Sequence, residues 1–197
     1  MANTTVRLDS HAAATLRYIR SSMEGAGLLA VPGSAGIVLG AIALIAAALC
    51  AVRGLRDYWL GIWLGAALIG AVVGSILIVR ESSLRDLRLA GTPLHKFALC
   101  LAPSIGAGLV MTAVHWYGGN LHAIPGTWLL LYGCALVAAS AATTRVIATL
   151  GALFILFGLA ALLLADSFQV LMLGAGFGGL HIIFGLLIRR MSHGREA

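Results

Sequence analysis

The chain has 197 residues, 60% of them hydrophobic and 10% charged, with a formal charge of +6. Soluble domains carry about 25% charged residues, so this composition excludes an ordinary water-soluble globule and points to a membrane protein, its apolar residues gathered in long runs. The basic residues sit between those runs, where they orient a membrane chain, and no basic groove or RNA-binding motif argues for a nucleic-acid partner.

Residues 1–33 read as a cytoplasmic segment. They hold Arg7, Asp9, Arg17, Arg20 and Glu24 without an apolar core and cleavage site, so no secretory signal is expected. Leu8, Ala12, Leu16, Ile19 and Met23 recur every three or four residues and predict an amphipathic helix over 8–24. Such a helix lies on the membrane surface or docks a protein partner. Gly25, Gly27 and Pro32-Gly33 end it.

Six apolar stretches follow, at 34–52, 58–79, 97–115, 127–144, 146–164 and 168–188, within a transmembrane domain of 34–190 and ahead of a tail at 191–197. In lipid the backbone must satisfy its own hydrogen bonds, so these stretches predict an all-α polytopic protein. With the N-terminus in the cytoplasm, the inner side holds 11 Lys and Arg and the outer side only Arg53 and Arg56. The positive-inside rule therefore places both termini in the cytoplasm, across a bacterial-type inner (plasma) membrane. Trp59, Trp63, Trp116, Trp128, Tyr58, Tyr117 and Tyr132 all fall near the expected outer ends, at headgroup level.

The spans pair into three helical hairpins. Leu39-Gly40-Ala41 and Leu150-Gly151-Ala152 open the first and third, and Leu64-Gly65-Ala66 and Leu173-Gly174-Ala175 fall in their second helices. Gly133 takes the corresponding place in the middle hairpin. Gly36/Gly40, Gly61/Gly65, Gly70/Gly74 and Gly174/Gly178 are GxxxG pairs, and Ser104/Gly108 is another small pair, which lets helices approach closely. These pairs predict a tight bundle, with a homo-oligomer or membrane partner as a further outcome. Pro103 predicts a kink in the third span. No polar or broken helix is expected at mid-membrane.

This layout, with segments such as Leu173-Gly174-Ala175-Gly176-Phe177-Gly178-Gly179, resembles the HdeD family of small bacterial membrane proteins. The resemblance implies six helices in three hairpins and a link to acid resistance. It implies no functional residue.

Ionisable groups inside a bilayer are costly and therefore functional candidates. His181 is the clear one, with Ser140 expected at the same depth and Thr112 as another hydrogen-bonding partner. His115, His122, Asp57 and Asp166 are the outer-face candidates for a shallow metal or proton-sensing site. No catalytic constellation, metal motif or cofactor is expected, and the three cysteines have no metal or disulfide spacing. The leading reading is a non-enzymatic bundle that binds a partner, a lipid or a stress signal. The rivals are a small transporter or channel for an uncharged or hydrophobic molecule, and a haem or quinone protein using His181.

Overall fold

The computed structural model describes residues 15, 32–84, 93–164 and 168–193. The helix expected at 8–24 and the candidate Asp166 lie outside these. Every element among the described residues is helical: α1 (Gly33–Ala51), a 3-10 turn (Arg56–Tyr58), α2 (Trp59–Leu84), α3 (Pro93–Tyr117), α4 (Ala123–Ala139), a second 3-10 turn (Ser140–Ala142), α5 (Arg145–Leu163), α6 (Gln169–Leu173), a π-helical segment (Gly174–Leu180) and α7 (His181–His193). The last three run end to end as a single final span.

Five helices are long and apolar enough to cross a membrane, and α4 is an apolar helix of 17 residues that falls just short. Two starts differ from expectation for the same reason. Proline in the first helical turn sacrifices no intrahelical bond, because those N–H groups have no partner there. So α3 begins on Pro93 rather than at 97, and α4 begins at Ala123, ahead of Pro125-Gly126, rather than at 127. Helix α3 continues through Pro103. Between α4 and α5, Thr143 leaves helical geometry at φ −127°, ψ −114°, and its hydroxyl donates to the Ala139 carbonyl at 3.1 Å. Gly119, at φ +69°, turns the chain between α3 and α4 in the left-handed region that glycine tolerates.

Two ends of the bundle can be distinguished. The Trp59 end carries the α1–α2 and α3–α4 connections; the Arg145 end carries the turn before α5 and the end of α7. The final span is the most central element, half buried, whereas α2 and α3 are each only 11% buried. Leu68 on α2 and Val110 on α3 stay 68% and 63% exposed. Such continuous apolar surface is what lipid, not water, should cover.

The closest packing does not follow the three expected hairpins. It occurs at two antiparallel crossings built on glycines seven residues apart. In one, Gly126 and Gly133 of α4 meet Gly158 and Gly151 of α5: a methyl built on Gly133 would lie 2.7 Å from the Gly151 carbonyl oxygen, and one on Gly126 2.9 Å from that of Gly158. In the other, Gly33 and Gly40 of α1 meet Gly185 and Gly178 of the final span: a methyl on Gly40 would lie 2.7 Å from the Gly178 carbonyl oxygen, and one on Gly185 2.8 Å from that of Gly33. Packing, not hydrophobicity, holds helices together in lipid, and absent side chains allow this proximity.

The expected glycine contacts are only partly those observed. Gly36, Gly40, Gly133, Gly174 and Gly178 all face a neighbouring helix, and Gly70 and Gly74 receive the Leu39 side chain. Gly61 and Gly65 face nothing within 4 Å. Gly108 takes the Trp128 ring instead of a helix backbone.

Candidate functional site

Two features stand out, and the π-helical segment shapes both. In its sequence, Gly174-Ala175-Gly176-Phe177-Gly178-Gly179-Leu180, five of the seven residues are Gly or Ala. A π-turn widens the helix by a residue and is frequently found at functional sites. Here glycine keeps the widened turn compatible with its neighbours: Gly174 and Gly178 face Ala47 and Leu44 of α1, and Gly176 faces Leu129 of α4. The final span stays continuously helical, with one widened segment that was not expected.

The first feature is an aromatic core around His181. Tyr132 of α4, Phe154 of α5, Phe177 of the π segment and His181 of α7 pack with centroid separations of 4.9 Å (Tyr132–Phe154), 5.1 Å (Tyr132–Phe177 and Phe154–Phe177) and 5.3 Å (Phe154–His181). The Phe177 and His181 rings lie nearly parallel, at 13°. Trp63 of α2 joins from outside, 6.4 Å from Phe177. His181 is buried, and its Nδ1 lies 2.9 Å from the Phe177 carbonyl oxygen. A carbonyl can only accept, so Nδ1 carries the proton. Nε2 then accepts from the Tyr132 hydroxyl at 2.9 Å.

The partners expected for His181 are thus replaced. Ser140 donates to the Val137 carbonyl of its own helix at 2.6 Å. Thr112 donates to the Gly108 carbonyl at 2.7 Å and accepts from Trp128 Nε1 at 2.9 Å. Tyr132 is a core residue and not an interface ring, and Trp128 is turned onto α3. The sequence held only a slight hint for Tyr132, which falls about a turn and a half inside its expected span while Tyr58 and Tyr117 lie at or beyond the ends of theirs.

Among the described outer-face candidates, His115, His122 and Asp57 form no common metal-holding group. His115 Nε2 lies 3.2 Å from Thr127 Oγ1, whose proton is donated to the Ala123 carbonyl at 2.8 Å, so the imidazole donates. This bond, with Trp128–Thr112, stitches α3 to α4. Asp57 lies in the exposed 3-10 turn after α1. Among the described residues no three His, Cys, Asp or Glu side chains form a group that could hold a metal.

His122 belongs instead to the second feature, a cavity of about 690 Å³ at the Trp59 end. Its walls are Leu44, Ala47 and Cys50 of α1, Pro125 of α4, and Gly174, Ala175 and Gly179 of the π segment. Arg56, Trp59, His122 and Gln169 stand around its mouth. The wall from Ala51 down to Leu44 descends about 10 Å at 1.5 Å per residue. A side chain on Gly179 would meet nothing within 4 Å, so it would point into open space. The volume is that of an ordinary small-molecule site. No family model, curated protein or solved structure matches the chain.

Proposed function

We propose that the chain is a non-enzymatic, multi-pass protein of a bacterial-type inner membrane that binds a lipid or lipid-like molecule in the cavity at the Trp59 end. It crosses six times, with both termini in the cytoplasm. The observation that carries this reading is the cavity itself, with an apolar wall of small residues under a polar mouth. That gradient matches a molecule lying half in hydrocarbon and half at the headgroups. The orientation is supported by Arg80, Lys96, Arg145, Arg189 and Arg190 near the Arg145 end against Arg53 and Arg56 near the other. The short α4 spans the bilayer with the help of the 3-10 turn that follows it.

The experiment is native mass spectrometry of the protein purified in mild detergent. A retained lipid-sized adduct that is lost in Gly179→Leu is expected; an adduct equally retained by that variant would remove the cavity from consideration.

A second reading, a small transporter for an uncharged or hydrophobic molecule, is favoured by the π segment that lines this cavity, since transporters commonly interrupt helices where substrate binds. The haem or quinone reading loses support, because both ring nitrogens of His181 are already engaged. The open glycine faces at Gly61, Gly65 and Gly106 suit a second copy or another membrane partner.

A further inference from the structure

We infer that the cavity selects a phospholipid of net negative charge, with its phosphate against Arg56 and His122 and one acyl chain laid along Ala175 and Gly179. The inference rests on the reading of the cavity as a lipid site and adds the headgroup that it takes.

Three observations carry it. Among the described residues, Arg56 is the one charged side chain in the cavity lining. Guanidinium pairs with phosphate through two parallel N–H···O bonds, and a phosphate has further oxygens for a second donor. His122, which precedes α4 as Arg56 precedes α2, lines the same cavity and offers that donor. A zwitterionic headgroup would bring its own cation to the same mouth, next to Arg56, and lose the advantage.

The second observation is depth. Arg56 and His122 lie in the connections at the Trp59 end, beside Trp59, and interfacial tryptophan marks headgroup level. An arginine at this level meets phosphate without leaving its hydrated layer.

The third is the floor. Gly174, Ala175 and Gly179 leave one side of the π segment without bulk, and Ala47 faces it from α1. Among the glycines of this segment, Gly179 is the one whose added methyl would touch nothing. The surface below the cation is thus mostly apolar, as an extended chain requires, with Gln169 the one uncharged polar side chain of the lining besides Cys50, Trp59 and His122.

The test is a titration of the full-length protein in nonionic detergent, read by native mass spectrometry. The probes are phosphatidylglycerol, phosphatidylcholine with the same chains, and oleate. Phosphatidylglycerol is expected to bind about tenfold more tightly than phosphatidylcholine, the worth of one charge-assisted hydrogen-bonded contact. Arg56→Gln should weaken phosphatidylglycerol more than phosphatidylcholine, so that the preference between them is lost. Gly179→Leu should weaken both lipids, and Gly179→Ala should do so less, with gel filtration reporting that both variants remain folded. Equal binding of the two lipids by wild type, or an unaltered preference in Arg56→Gln, overturns the headgroup inference while a Gly179→Leu effect keeps the lipid site. Oleate displacing phosphatidylglycerol at equal concentration also overturns it, in favour of a carboxylate ligand. Binding untouched by Gly179→Leu defeats the cavity reading itself.

Discussion

The two glycine crossings use one device to different ends. In α4–α5, Gly126/Gly158 and Gly133/Gly151 bring two regular helices together across a connection of a few residues. In the α1–final span pair, Gly33/Gly185 and Gly40/Gly178 join the two ends of the described bundle, and the second helix widens into a π-turn just where it crosses. The first crossing is closed along its length. The second opens toward the Trp59 end into the cavity. Gly174 and Gly178 keep the widened turn in contact with α1, while Gly179 beside them faces open space. The comparison places the scaffold in α4–α5 and the adaptable surface on the π segment.

The sharpest way to break this contrast is to overfill the regular crossing. Gly133→Val or Gly151→Val would push methyl groups against backbone atoms at 2.7–2.8 Å, which no rotamer change relieves. Overpacking costs about 1–3 kcal/mol or more, and with backbone on both sides the upper part of that range is expected. Loss of the monodisperse gel-filtration peak, or a large fall in thermal midpoint, is the measurement. A variant as stable as wild type would mean that the two helices can part freely.

A smaller effect is expected where the two regions touch, at Tyr132–His181. Tyr132→Phe keeps the ring contacts with Phe154 and Phe177 but removes the donor to Nε2. Interhelical hydrogen bonds in membranes contribute about 0.6 kcal/mol on average and up to about 1.7. A double-mutant cycle with His181→Phe should give a coupling near 1 kcal/mol in that range. Strict additivity would show the hydrogen bond to be energetically silent.

The smallest effect belongs to the glycines outside both crossings. Gly61→Ala and Gly65→Ala meet nothing within 4 Å, so thermal stability of the isolated chain should stay within about 0.5 kcal/mol of wild type. Chemical crosslinking in membranes gives the sharper readout: a lost dimer band would assign this open face to a second copy, and an unchanged pattern would assign it to lipid.

Much of the helical layout was legible in the residues. The break at Thr143–Thr144, the start of α5 and the central place of His181 follow from hydropathy and from the rarity of intramembrane imidazole. The starts of α3 and α4 lie ahead of the apolar stretches because first-turn proline is tolerated, so the helices begin before the hydrophobic run does. The GxxxG interval found part of the packing: Gly36/Gly40 and Gly174/Gly178 face neighbouring helices, whereas Gly61/Gly65 contact nothing, and the seven-residue interval of Gly126/Gly133 and Gly151/Gly158 falls outside that pattern.

The sequence alone determined that these segments are helices suited to a membrane, because oil offers the backbone no other hydrogen-bonding partner. It could not determine which face of each helix meets another helix. In water a buried face is apolar and an exposed one polar, so periodicity tells them apart; in lipid both faces are equally apolar and the signal vanishes. Only the tertiary structure could bring Tyr132 to His181, leave Gly61 and Gly65 bare, and open a cavity beside a π-turn, because those outcomes depend on the shape of neighbours rather than on affinity for water.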